Sequence, residues 1–305
     1  MSALFASGFF SSSAVHAALL VGAMVALASG VVGVLAVIRG QSFAGHALGD
    51  VGTLGGSSAF LLNVSPIWGF LGVAVAAAGA MELLGVRRAK GRDVATGVVL
   101  GAALGLSALL LYLDTTSSTT TGAAVTILFG SLFTVSNGIV PLIGGLGGAG
   151  LVAVLLLYRP LLLSSVDDDL AAAAGVRVRL VGGTFLVVMA IGVALTSLAV
   201  GTVLSTALLI GPAATALRLT RRPGRAMLAA GAIGLLATWI GVLLAYDSYD
   251  WPPYHRGWPV SFFVVTLVFL AYVVTDSVSW ARGRRAARTR LPGPREREGA
   301  REAAA

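Results

Sequence analysis

The sequence predicts an all-α integral membrane protein with about nine transmembrane helices, within a range of about eight to ten. Three observations carry that prediction. Hydrophobic residues make up 57% of the chain and charged residues 11%, with a mean hydropathy of +0.91, whereas soluble domains carry about 25% charged residues. Apolar runs recur at the length of about 20 residues that a helix needs to cross the hydrocarbon core. Basic residues gather in every second loop, the pattern of inward-facing loops.

The 305 residues hold these spans and their short loops, with no room for a large soluble domain. Cysteine is absent, which excludes disulfides, thiolate ligands and a cysteine nucleophile. The start, MSALFASGFFSSSAVHAALL, has no Lys or Arg ahead of its apolar run, so it lacks the basic region of a cleaved signal peptide. A net charge of +8 would suggest nucleic acid in a soluble protein. Here the charge lies in loops and tail, and it predicts contact with membrane lipid and no nucleic-acid partner.

Hydropathy places spans at roughly 15–38, 45–62, 66–86, 94–113, 138–158, 179–197, 199–217, 226–246 and 259–279. Arg39 follows the first span, and Arg87, Arg88, Lys90 and Arg92 follow the third. Arg159, Arg177 and Arg179 separate the fifth from the sixth. Arg218, Arg221, Arg222 and Arg225 follow the seventh. With those loops inside, only Arg256 is left outside, and the N-terminus is out and the C-terminus in. Residues 1–280 then form a single polytopic domain. Residues 281–305, basic and interrupted by Pro292 and Pro294, form a disordered cytoplasmic tail.

The outer loops fit. Asp114–Gly122 (DTTSSTTTG) is polar, and Asp247–Pro259 (DSYDWPPYHRGWP) is aromatic like an interfacial belt. Segment 123–136 is too short to span and predicts a re-entrant or interfacial piece with its backbone buried by protein. Spans six and seven are short and joined around Ala199–Thr202, an interrupted pair of the kind found near transport paths. Glycine runs at Gly52–Gly56 and Gly144–Gly148 allow close helix approach.

The whole is organised around Ser42–Leu62 (SFAGHALGDVGTLGGSSAFLL), an apolar, small-residue stretch that carries His46 and Asp50. Spaced four apart, the two share one helix face. Ionisable pairs inside a span are costly and mark substrate or ion paths, and imidazole with carboxylate suits a divalent transition metal. The plainer alternative makes His46 interfacial and Asp50 a local hydrogen-bonding group. Two ligands do not fill a metal shell, so carbonyls, hydroxyls or waters would complete it. Glu82, near the end of span three, reads as a ligand or gate, or else as one half of a salt bridge. His16 and His255 lie toward the outer side, where either could guide a cation at the mouth, although a lone surface histidine ordinarily has no role.

Leu161–Val178 (LLLSSVDDDLAAAAGVRV) predicts a short helix in the longest inner loop. Ser164 or Ser165 would cap it, Asp167–Asp169 would form its first turn, and Gly175 would end it. Such a helix can dock a motor subunit or simply lie at the interface. No catalytic set is present: there is no GxxxxGK[ST], no HExxH and no Ser-His-Asp arrangement. Any ATP hydrolysis belongs to another chain.

Five blocks together resemble the permease subunits of bacterial ABC-type zinc/manganese importers, over about residues 14–280. Gly45–Asp50 resembles that family's second-span signature, glycine–Asp–x–Leu–x–His. Asp93–Leu111 resembles the start of its fourth span, and Ile127–Ser136 (ILFGSLFTVS) its "LFGS" block. Val166–Val178 resembles its "FDPExAxAxG" coupling segment, and Gly201–Leu217 its "vGxxLvxALLixPAATA" block. The order of the metal pair is reversed, with His46 at the aspartate position and Asp50 at the histidine position. Asp168 stands where the family has proline, and the family's histidine-rich loops are missing.

The resemblance implies an importer permease of the metal/vitamin B12-type class in the bacterial plasma membrane, and not itself an enzyme. It implies a homodimer with a central path, cytoplasmic ABC ATPases docked on Ser165, Asp167, Asp168, Asp169, Leu170 and Gly175, and an extracytoplasmic metal-binding protein. Zn2+ or Mn2+, with iron as a further option, would be transient cargo, with no tightly bound cofactor. Ser205, Thr206 and Pro212, on a short discontinuous helix, would line or gate the path. Two alternatives remain: an ABC permease for another cargo such as a metal chelate, and an ATP-independent ion- or proton-coupled carrier. A docking helix argues against the second.

Overall fold

The computed structural model describes residues 9, 12–83, 92–117, 127–130, 132–135, 138–251 and 257–289. Among them are α1 (Ser13–Ile38), α2 (Ser42–Leu61), α3 (Pro66–Leu83), α4 (Arg92–Ser117) and α5 (Val140–Leu156). There follow α6 (Tyr158–Val166), α7 (Asp168–Ala173), α8 (Val178–Val200), α9 (Thr202–Leu219), α10 (Pro223–Asp247) and α11 (Val260–Thr289). Each predicted span coincides with one long helix: α1 to α5 and α8 to α11. By themselves α1, α3, α8, α10 and α11 are long and apolar enough to cross a bilayer, and α5 meets the same measure only together with α6, from which it is bent by 59°. Helices α2, α4 and α9 fall short of that measure among the described residues. For α2 the cause is its glycine, serine, His46 and Asp50, which protein rather than lipid must cover.

Helices α1 and α8 are the core. Their most apolar windows are 67% and 72% buried, against 28% for α11, whose outer face carries Phe262, Phe269, Leu270 and Trp280. A helix apolar on all sides belongs in the interior. Between the core pair, Ser29 and Thr196 share a buried hydrogen bond of 2.7 Å, and Thr196 also donates to the Gly192 carbonyl at 2.7 Å, so the contact gives the buried Ser29 hydroxyl its partner. α1 packs along α10 and α9, and α11 closes over α9 and α10. On the other side α2 and α3 form a hairpin that also meets α4 and α8. α8 thus joins the two groups.

The segment expected to be irregular is irregular where described. Residues 127–129 make a helical turn, Gly130 has φ +78°, and Leu132–Thr134 is a 3-10 turn. It lies against the α8–α9 junction, where Gly201 has φ +95°. A Cβ on Gly130 would come within 2.6 Å of backbone atoms of Ala199 and Gly201. Only glycine fits there, and two irregular stretches bury their backbones against each other. Thr202 Oγ1 donates to the Ile127 carbonyl at 3.3 Å across the same contact.

The interruption expected around Ala199–Thr202 falls at Gly201, between α8 and α9, and the helix that holds Ser205, Thr206 and Pro212 is itself continuous from Thr202 to Leu219. α11 continues to Thr289, and 290–305 lie outside the described residues.

Candidate translocation site

α1 ends at Arg39, Gly40 turns the chain at φ +63°, and α2 begins at Ser42 with the Gly45 amide bonded to the Gln41 carbonyl at 3.0 Å. One turn in, His46 Nε2 lies 3.4 Å from Asp50 Oδ2, the i,i+4 pairing that the spacing requires. The imidazole is the open partner, its side chain 42% exposed against 14% for the carboxylate.

The pair has a third member from across the bundle. His46 Nδ1 lies 2.9 Å from Thr206 Oγ1 on α9. That approach depends on glycine: a Cβ on Gly49 would lie 3.1 Å from Ser205 Oγ and 3.2 Å from Val193, and one on Gly45 2.9 Å from Leu209. α2 therefore seats its glycine face directly on α8 and α9.

Ser205 is fully buried beside Gly49 and donates to the Thr202 carbonyl at 2.9 Å, within its own helix. Pro212 is buried, with its ring beside Gly234 of α10, and does not join Thr206 at the pair. Glu82 at the end of α3 lies 3.8 Å from Arg179 Nε and against Gly183 of α8. Among the described residues no group of three or more His, Asp or Glu forms a metal cluster, so Glu82 does not extend the pair. The basic residues Arg87 and Arg88, and His255, lie outside the described residues; His16 is exposed on the first turn of α1.

The short helix expected within Leu161–Val178 forms with a different cap. Asp167 is extended (φ −159°, ψ 124°), and its side chain accepts from the Asp169 and Leu170 amides at 2.8 and 2.9 Å. Ser164 and Ser165, expected as caps, instead donate to the Leu161 carbonyl within α6. The reason is that residues 158–166 are already helical, so those hydroxyls bond backward along their own helix. Asp168 and Asp169 occupy the first turn of α7, where carboxylates favour the helix dipole. Gly175, at φ +82°, ends the helix with its amide on Ala172 and that of Val176 on Ala171, a Schellman closure. Leu170 is 56% exposed, which leaves an apolar side chain on the surface of this short helix.

One residue read from sequence only as a topology signal has a structural role. Arg39 Nη1 donates to the Leu161 carbonyl at 2.9 Å and to Ser164 Oγ at 2.7 Å, and its guanidinium lies over Phe185 of α8 at 5.7 Å from the ring centre. No local pattern could have found a contact between residues 122 positions apart.

The model of the family described as "ABC 3 transport family" matches residues 11–275. The chain belongs to that family. The Streptococcus parasanguinis protein named "Manganese import system permease protein ScaB" is 28% identical over 75% of this chain and 81% of its own length. "Manganese transport system membrane protein MntC" of Halalkalibacterium halodurans is 30% identical over 77% of this chain and 78% of its own. The solved structure titled "PsaBC from Streptococcus pneumoniae in complex with Fab" superposes with a TM-score of 0.77 at 22% identity, over 90% of this chain and 95% of that one. At that identity the likeness establishes the fold. This ABC 3 family member is thus an all-helical, multi-pass membrane permease, and the resemblance read from its five sequence blocks holds.

Proposed function

We propose that this ABC 3 family permease forms the membrane path of an ATP-driven importer for a divalent transition metal, with Mn2+ ahead of Zn2+ and iron. The observation that carries the reading is the cluster of His46, Asp50 and Thr206, an imidazole and a carboxylate on one helix held by a hydroxyl from another. Nitrogen and oxygen donors without sulfur suit Mn2+ and Zn2+, and the manganese names of its relatives weigh toward the first. Two donors, the His46 imidazole and the Asp50 carboxylate, leave a shell unfilled, which suits a transient cargo that must be released. Waters, carbonyls or a second copy of the chain across a central path supply the rest.

In this reading the nine long helices cross the membrane with the N-terminus outside, which puts α6 and α7 in the cytoplasm. A separate ATPase docks on Ser165, Asp167, Asp168, Asp169, Leu170 and Gly175. A metal-binding protein delivers cargo to the outer face. The permease holds no resident cofactor; the metal is cargo.

Uptake of Mn2+ and Zn2+ by the assembled transporter tests this, comparing wild type with His46→Ala, Asp50→Ala and the double swap His46→Asp/Asp50→His. Loss of uptake in both alanine variants, with expression and ATPase docking intact, is the expected result. The double swap then reads whether donor order sets the metal. Normal uptake by both alanine variants would remove the pair from the path. Uptake that required an added chelator would shift the cargo to a metal chelate.

A further inference from the structure

We propose that Arg39 is a positioning residue, the strut that carries the state of the docking helix α7 to the His46–Asp50 pair. The inference rests on the transport reading above and names the contact that links its two ends. Arg39 grips α6 at two acceptors, the Leu161 carbonyl and Ser164 Oγ, the latter three residues before the Asp167 cap of α7. Leu161 and Phe185 are fully buried, so the guanidinium is clamped between α6 and α8 rather than waving at a surface. Charge-assisted donation to two acceptors with stacking on a ring is a geometry that Arg holds and Lys does not.

The other end of the strut has no slack. Between Arg39 and α2 lie only Gly40 and Gln41, and both are hydrogen-bonded: the Gly40 amide to Val37 at 3.1 Å and the Gln41 amide to Ala36 at 2.8 Å. The first turn of α2 then begins on the Gln41 carbonyl, and His46 follows in the next. α8 supplies a second, parallel line. Phe185 lies under Arg39, Met189 one turn on lies against Gly45, and Val193 one further turn on lies against Gly49. Those two glycines immediately precede the pair in sequence, Gly45 next to His46 and Gly49 next to Asp50. A shift of α6 and α7 therefore moves Arg39, and with it both the start of α2 and the α8 ridge on which the pair sits.

A residue that merely anchored α6 would, when lost, lower every activity together. A strut sets the number of ions moved per ATP. The test uses the permease assembled with its cognate ATPase in sealed proteoliposomes, following Mn2+ uptake, Zn2+ uptake and ATP hydrolysis in the same preparations. Arg39→Ala is expected to cut ions moved per ATP about tenfold while hydrolysis persists, the scale set by losing hydrogen bonds to a charged group. Arg39→Lys keeps the charge but loses the planar guanidinium over Phe185, and Ser164→Ala removes one acceptor, so each is expected to lower the ratio by about threefold. A wild-type ratio in Arg39→Ala, or uptake and hydrolysis falling in proportion, would overturn the strut. Should Arg39→Ala fail to assemble, wild-type ratios in both milder variants would overturn it equally. If the wild-type assembly shows no ATP-dependent uptake of either ion, the transport reading fails and takes the strut with it.

Discussion

His46 Nδ1 on α2 lies 2.9 Å from Thr206 Oγ1 on α9, while Nε2 of the same ring lies 3.4 Å from Asp50 Oδ2. One imidazole thus links a carboxylate on its own helix with a hydroxyl 160 residues away. When a metal takes one ring nitrogen, a partner on the other fixes the ring and its tautomer. Thr206 is placed to be that partner.

Thr206→Val tests this role, since valine keeps the shape and removes the hydroxyl. A lost hydrogen bond of about 1 kcal/mol corresponds to roughly a fivefold weaker apparent metal affinity. Initial uptake rates over a range of Mn2+ concentrations would read it, and Thr206→Ser should restore most of the loss. Identical curves for Thr206→Val and wild type would show that the contact does not act on the metal.

How near α9 can come to the pair is set by Gly49. Its added Cβ would lie 3.1 Å from Ser205 Oγ and 3.2 Å from Val193 Cγ1, tighter than ordinary contact. Gly49→Val should therefore destabilise the permease by about 1–3 kcal/mol through overpacking and push Asp50 out of register. Thermal unfolding in detergent would show the loss. The milder Gly49→Ala should be partly rescued by Ser205→Ala, which removes the atom it strikes. A double variant no better than the single would place the strain elsewhere.

Much of this was legible in sequence because membrane helices announce themselves. Long apolar runs set off by arginines located all nine long helices, and a four-residue interval placed His46 with Asp50. What escaped depended on contacts between distant segments or on local competition. The serines at 164 and 165 resemble caps, but Pro160 sits in the first turn of α6, where proline is tolerated, so that helix forms and absorbs them. The interruption around Ala199–Thr202 was legible, but not that Gly201 makes it by adopting a φ of +95° while α9 runs on through Pro212. Arg39 read as charge alone, since nothing near it in sequence names Leu161 or Phe185.

The short helix α7, proposed above as the ATPase dock, offers a separable prediction. α7 spans six residues, too few to hold helical form on propensity alone, so its cap matters more than in a long helix. Asp167→Ala removes the acceptor for two backbone amides, at a cost of about 1 kcal/mol. Asp167→Asn keeps an oxygen there and should be nearly neutral. Co-purification with the ATPase is expected to fall for Asp167→Ala and to hold for Asp167→Asn. Equal retention by both would mean that docking does not depend on this helix being formed.

Glu82 is expected to behave differently from the pair despite being ionisable and near the end of a span. Its carboxylate is 3.8 Å from Arg179, whose side chain is 76% exposed, and a solvent-screened pair of that kind is worth about 0–1 kcal/mol. It also stands apart from His46 and Asp50, since no cluster of three ligands forms among the described residues. Glu82→Gln preserves the size and the contact with Gly183, so Mn2+ uptake should stay within about twofold of wild type, the span of such a weak interaction. The comparison is informative because Asp50→Asn, an equally conservative change, should abolish uptake by removing a charged donor from the metal. If Glu82→Gln lost uptake as completely as Asp50→Asn while its thermal stability held, the path would run past Arg179 as well, and the site centred on α2 would be only its first station.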